Sequence, residues 1–311
     1  MQEVFAALGL SVLERGWLSS NNVVFQASGG SGACVVDTGY VQHAPQTLDL
    51  VARALGGSRL ERVLNTHLHS DHCGGNAALQ AAWQCEVSVP EASWDAVRGW
   101  DQRLLSFEAT DQRCDRFEAH RALAVGSTVQ LGAAHWDVVA APGHDPEAVM
   151  FFQRDHGVLI SADALWEERL AIIFPELVGG DGFGAARGAL DVIERLAPRI
   201  VVPGHGRPFT DVASALACSR RRLQAFEQAP ERHRAYAERA LTMFHMLEQR
   251  TVPRAALVAW LATTPIFVRM ARDVVGIERR AEREAHADDV VARLVRDGLL
   301  LQSSAGDLQV R

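Results

Sequence analysis

Lysine is missing from all 311 residues, so each of the 31 basic side chains is an arginine. The gap removes a Schiff-base lysine, a lysine nucleophile and a lysine phosphate clamp from any mechanism, and it reads as a coding bias rather than as chemistry. Cysteine is sparse: Cys34, Cys73, Cys85, Cys114 and Cys218 are odd in number, widely spaced and without a CxxC pair, which points to reduced thiols. Long apolar runs are lacking too, since nothing reaches the ~18 consecutive apolar residues of a transmembrane helix. The opening MQEVFAALGLSVLERGW has no basic start and meets Glu14 and Arg15 early, so it does not read as a signal peptide. A cytoplasmic location and no membrane partner are therefore expected. Positive charge is also short: the net charge is −7, and an acidic surface repels phosphates, which argues against nucleic acid as a general partner.

What is present is an ordinary globular composition, 48% apolar, long enough for one large core or for a core plus a smaller domain. Short β-rich runs dominate the first two-thirds: 22–27, 33–39, 62–67, 128–132, 136–141, 158–163 and 199–204, each ending in a turn signal. Helical patterns at 44–57, 76–84 and 185–198 alternate with them, which predicts an α/β or α+β class with sheets covered by helices. From about residue 219 the texture becomes helical and ends in a helix at 287–298 followed by two short apolar runs around SSAGD. Helices followed by a hairpin predict a small winged-helix-like module. The expected division is 1–218 and 219–311. Up to residue 218 there are 15 arginines against 26 acids, and beyond it 16 against 12, so the tail is mildly basic.

The strongest chemical signal is Thr66-His67-Leu68-His69-Ser70-Asp71-His72, which places four potential metal ligands within six positions after the apolar run RVLN. In an extended stretch, residues two apart project to one side, so His67 and His69 can grip one ion while Asp71 and His72 face another. Imidazole and carboxylate together suit zinc, with iron or manganese as alternatives. Three further apolar runs end in turns that carry a ligand type: Pro142-Gly143-His144, Ser161-Ala162-Asp163 and Pro203-Gly204-His205-Gly206. If these runs end on one edge of packed sheets, their ligands share a rim. Cys73 is read as a small packing residue and Ser70 as shaping the turn. Asp145 and Glu147 are either partners that orient an imidazole or an exposed acidic loop. Trp94, Trp100, Phe107, Trp166 and Phe174 are read as core rather than as a pocket mouth.

The succession HxHxDH, PGH, an Asp after a strand and PGHG, together with Val36-Asp37-Thr38-Gly39 and Gly74-Gly75-Asn76, resembles the metallo-β-lactamase superfamily over roughly residues 20–210. The resemblance implies a four-layer αββα sandwich, with the helical, winged-helix-like domain after it. It implies two divalent ions, the first held by His67, His69 and His144, the second by Asp71, His72 and His205, with Asp163 bridging. It also implies a metal-bridging hydroxide as nucleophile and Asp71 as the residue that orients it or takes its proton.

The expected activity is hydrolysis of a small ester, thioester or lactone. Asp163 is typical of the superfamily's general hydrolases, where true β-lactamases usually carry Cys or Ser. THLHSDHCGGN resembles the glyoxalase-II motif, although that enzyme's glutathione-binding tail pattern is not found. The first alternative is an endoribonuclease that acts on single-stranded RNA through the C-terminal module. The second is a mononuclear iron persulfide dioxygenase. A non-catalytic binding protein would need broken ligands, and all seven stand. The tail is expected to cap the core or to mediate homodimerisation.

Overall fold

Strands whose residues are apolar without alternation must be covered on both faces, and each of the two main sheets of the chain contains such strands. A computed structural model describes residues 1–311, apart from the side chains of Val274 and Val275. The first sheet holds β1 (Leu10–Leu13), β2 (Asn22–Phe25), β3 (Ala33–Val36), β4 (Leu60–Leu64), β5 (Glu86–Pro90) and β6 (Arg121–Leu123) in sequence order. Its first two pairings are antiparallel and the rest parallel. The second sheet runs β11 (Ile200–Pro203), β10 (Val158–Ala162), β9 (Val149–Gln153), β8 (Ala134–Ala140), β7 (Thr128–Leu131). Only its β10–β11 pairing is parallel.

Successive residues of a strand face opposite sides, and here both sides are apolar. Val23, Phe25, Val36 and Leu64 of the first sheet meet Trp136, Phe151, Ile160 and Val202 of the second in the layer between them. Val24, Val35, Val63 and Val87 face outward against Val51, Leu55 and Leu79 of the helices Ala44–Leu55 and Asn76–Trp83. On the far side, Met150, Phe152, Leu159 and Val201 pack on Leu190, Ile193, Ala215 and Leu216 of the helices Gly182–Leu196 and Val212–Gln228. The result is the expected sandwich of two mixed sheets under outer helices. Helix Val212–Gln228 passes residue 218 unbroken, and its Leu223 and Phe226 belong to the same core as Ala215.

Because β8 and β10 are each antiparallel to β9, and β10 is parallel to β11, the ends of β8, β10 and β11 all emerge at one edge. That edge is where the ligand-bearing turns lie. The strand expected over 62–67 stops at Leu64, so His67 lies in the loop beyond it.

Beyond the long helix Pro230–Gln249, the chain forms β12 (Thr251–Pro253), helices Arg254–Thr263, Pro265–Val275 and Arg280–Arg296, and the hairpin of β13 (Leu300–Gln302) and β14 (Asp307–Val310). The three strands form a small sheet in the order β12-β14-β13. Its core includes Leu257, Leu261, Met270, Val291 and Leu308, and reaches Ala237, Leu241 and Met246 of the long helix. Among the described residues no helix is long and apolar enough to cross a membrane.

Candidate metal centre

The site is assembled from four strand ends. The segment after β4 carries His67 and His69 in a loop and Asp71 and His72 on the short helix Ser70–Cys73. The turns after β8, β10 and β11 bring His144, Asp163 and His205. All these side chains except Asp71, which is partly exposed, are buried.

The donor atoms form two groups. His67 Nε2 lies 3.1 Å from His69 Nδ1, which lies 2.8 Å from His144 Nε2. On the other side, His205 Nε2 is 3.0 Å and His72 Nε2 3.8 Å from Asp71 Oδ2. Asp163 stands between them, its Oδ1 3.4 Å from His72 Nε2 and its Oδ2 3.4 Å from His144 Nε2. The structure thus brings together all seven residues singled out in the sequence, in triplets whose ligand atoms lie within 4.8 Å of one another. His67 and His69 meet although the segment is not a strand.

Hydrogen bonds aim two of the imidazoles, those of His144 and His72. His144 Nδ1 is 2.6 Å from the Ile172 carbonyl, and a proton donated there leaves the Nε2 lone pair for the cluster. His72 Nδ1 is 2.8 Å from Asp37 Oδ2, which aims its Nε2 the same way. Asp37 is in turn fixed by the Thr66 amide (2.9 Å) and hydroxyl (2.8 Å). The His72 carbonyl accepts from the Thr38 amide, the Thr38 hydroxyl and the Asn65 amide, at 2.7, 3.1 and 3.2 Å. The Asp-Thr-Gly turn therefore anchors the metal motif at both ends of His72. The sequence displays that turn without disclosing this task. It gives no sign of Asn21, whose amide donates to the Pro203 and Gly206 carbonyls and so pins the His205 loop.

The two Pro-Gly-His turns need glycine for different reasons. Gly143 has φ +137°, a conformation that side chains rarely tolerate. At Gly204 a Cβ would lie 2.1 Å from Asp163 Oδ1, so only glycine lets the end of β11 approach that carboxylate. Gly204→Ala is expected to displace Asp163 and to cut turnover by about 100-fold, the cost of a misplacement near 1 Å. Steady-state kinetics beside far-UV circular dichroism checks this, and unchanged turnover would contradict it.

Burial is the first cause of every shift here. It holds His67 well below its ordinary range, helped by His72, His69 and His144, and it takes His69 and His144 down to about 4. These three are neutral imidazoles at neutral pH, the form that binds metal. At His72 burial also opposes the charge, but Asp163, Asp37 and Asp71 hold it well above its ordinary value. Burial pushes the Asp163 and Asp71 carboxyls up, yet neighbouring imidazoles keep Asp163 well below the usual range and Asp71 below it. The Asp71 side of the cluster is a field that favours positive charge.

The donor set fits a pair of divalent ions. Buried His72 Nε2, which is turned towards Asp71 and Asp163, has no hydrogen-bond partner, which is costly for an imidazole unless another group uses the lone pair. Five imidazoles and two carboxylates with no thiolate suit zinc, manganese or iron. Asp37→Asn keeps the shape and tolerates the local φ of 57°, but removes the charge behind His72. It is expected to weaken binding at the Asp71, His72 and His205 group by about 10- to 100-fold. Competitive metal titration measures this, and an unaltered affinity would count against that grouping.

The cavity over the cluster is walled by aromatics. Trp17 stacks on the His205 ring at 5.1 Å, Trp166 meets its edge at 5.3 Å, and Phe174 is 4.7 Å from the His69 ring. Tyr236, Leu241 and Phe244 of the Pro230–Gln249 helix close the far side. Trp166 and Phe174, expected in the core, therefore line the cavity, while Trp94, Trp100 and Phe107 do pack in or against the core beneath the first sheet. Strand and helix periodicity report burial but not whether the neighbour is protein or cavity. Cys73 is buried and 3.7 Å from Cys114 Sγ, a packing residue as expected. Ser70 donates to Gln112 Oε1 at 2.6 Å. Asp145 Oδ2 faces His69 Nε2 at 3.6 Å, whereas Glu147 accepts from Ser93.

The model of the Metallo-beta-lactamase superfamily matches residues 15–205. Hydroxyacylglutathione hydrolase of Methylococcus capsulatus is 32% identical over 158 residues, 50% of this chain and 52% of that protein, so the chain spans about half the length of this relative. The hydroxyacylglutathione hydrolase of Anaeromyxobacter dehalogenans is 28% identical over 285 residues, 88% of this chain and 99% of that one. The bovine acyl-coenzyme A thioesterase MBLAC2 is 24% identical over 222 residues, 64% of this chain and 78% of its own. Among solved structures, a metallo-beta-lactamase family protein from Thermus thermophilus superposes with TM-score 0.57 at 18% identity, covering 97% of this chain and 99% of that one. This last likeness shows the fold.

Proposed function

The chain belongs to the metallo-β-lactamase superfamily as a metal-dependent hydrolase, and from that premise we propose that it is a dinuclear enzyme that hydrolyses a small acyl ester, a thioester above all. One observation carries the dinuclear reading: the two oxygens of Asp163 face different nitrogen groups, Oδ1 towards His72 and Oδ2 towards His144. The thioester reading is supported by relatives named for thioester cleavage, one of them matched along 88% of this chain.

In this reading His67, His69 and His144 would hold one ion and Asp71, His72 and His205 the other, with Asp163 available to both groups. When bound, two divalent ions would lower the pKa of a water and polarise the acyl carbonyl. The chain's own residues do the rest. Asp71, kept ionised by His72 and His205, can take up a proton from the attacking water. Asp37 and the Ile172 carbonyl fix the ring orientations. Trp17, Trp166, Phe174 and Phe244 keep bulk water from the reacting carbonyl, which strengthens every charge interaction inside.

We read the three C-terminal helices and small sheet as a winged-helix-like module whose preceding helix caps the site. Its surplus arginines favour this over RNA contact: Arg254, Arg269, Arg272, Arg279, Arg280 and Arg293 each lie within 4.0 Å of an Asp or Glu oxygen. The test is metal quantification on the purified protein, then a panel of thioesters, lactones, phosphodiesters and β-lactams. About two ions per chain and preferred turnover of thioesters are expected. Preferred cleavage of single-stranded RNA, or a single iron with oxygen consumption, would overturn the reading.

A further inference from the structure

A second groove opens on the other side of His69 from the aromatic cavity. The two share His69 and Phe174, so a substrate carbonyl at the cluster has the groove as one exit and the cavity as the other. The groove has a volume of ≈ 360 Å³, within the range of small-molecule sites. Its character differs from that of the cavity: aliphatic side chains, Leu104, Leu105, Val178 and Ile266, line it among polar ones. Leu104, one of these, is 73% exposed.

The polar groups around it are already engaged. Arg103 pairs with Glu108 at 3.2 Å, and Arg269 pairs with Asp273 at 3.3 Å and donates to the Val178 carbonyl. Glu147 accepts from Ser93 at 2.5 Å, and Asp145 Oδ1 accepts from the Glu147 amide at 2.7 Å. What the groove offers a ligand is apolar surface rather than a free charge.

We propose that this groove binds the alkyl chain of a fatty-acyl thioester, and that the thiol portion lies in the aromatic cavity. The inference rests on the thioesterase reading of the same centre and adds the acyl class to it. In the reaction water adds to the carbonyl carbon and the C–S bond breaks. The leaving sulfur takes up one proton of the water, and the other is released with the carboxylate. Each methylene that enters the groove gains about fourfold in kcat/KM, the equivalent of about 0.8 kcal/mol, until the groove is filled.

Acetyl, hexanoyl and decanoyl thioesters of N-acetylcysteamine test this with the metal-loaded protein. The expected result is a kcat/KM that climbs with chain length. In Ala109→Trp, which fills the groove from the half-buried face of the helix Phe107–Thr110, the climb should flatten by at least tenfold at decanoyl while acetyl stays within about twofold. Val178→Trp is the second variant if the first does not fold. A parallel change at all lengths, or no change, overturns the groove. Binding of dansyl-labelled undecanoate, displaced by decanoate, gives a readout apart from catalysis. If no thioester is turned over but the probe binds and Ala109→Trp releases it, the groove stands and the hydrolase reading fails. If the probe does not bind, the groove fails whatever the kinetics.

Discussion

Asp71→Ala is expected to lower thioester kcat/KM by about three orders of magnitude, with metal content falling from about two ions per chain towards one. Two effects combine. The substitution removes a carboxylate 3.0 Å from His205 Nε2 and 3.8 Å from His72 Nε2, so the second ion loses an anionic ligand. It also removes the group placed to accept the proton of the attacking water. Asp71→Asn separates the two, since it keeps an oxygen donor but neither the charge nor the basicity. It should retain more metal than Asp71→Ala while staying as slow. The fold should survive both changes, because Asp71 is partly exposed and lies outside the packed layers. Full activity in either variant would refute the assigned mechanism.

Removing the metals should be as damaging and should act on stability as well. A ligand that binds only the folded state stabilises it by about 4 kcal/mol at a thousandfold excess over its Kd, which for a chain of this size corresponds to a Tm shift on the order of 10 °C. Chelated protein should therefore lose activity and melt earlier, and added zinc or manganese should restore both. The buried, partnerless Nε2 of His72, turned towards the cluster, is the structural reason. A chelated sample proven free of metal, with unchanged melting and turnover, would remove the basis for a metal centre.

The site is more legible in the sequence than the fold that carries it. His67, His69, Asp71 and His72 announce themselves by spacing, and the two Pro-Gly-His turns and Asp163 by their place after apolar runs. Strands β5, β6 and β9 leave no such mark. β6 is only three residues long, and β9 is buried at every position, so neither shows the alternation that marks a half-buried strand. The final hairpin is legible from its turn, but the helix before it starts at Arg280 rather than 287, since a charged first turn carries little apolar periodicity. The tasks of Asp37, Asn21 and the aromatic wall cannot be read at all. They depend on contacts such as Asn21 with Pro203, 182 positions away, and one sequence alone holds no record of such pairings.

The seven ligands are also far apart along the chain: His69 and His144 are separated by 75 positions, Asp71 and His205 by 134. Closing loops of that size costs entropy before any contact rewards it, and contacts so remote form late in folding. The ions cannot complete a site during early collapse, because the local segment 67–72 supplies only two of the three ligands of each group and the third comes from a distant turn. Metal therefore acts on the lifetime of the native state: refolding rates should be indifferent to metal, while unfolding should slow when metal is bound.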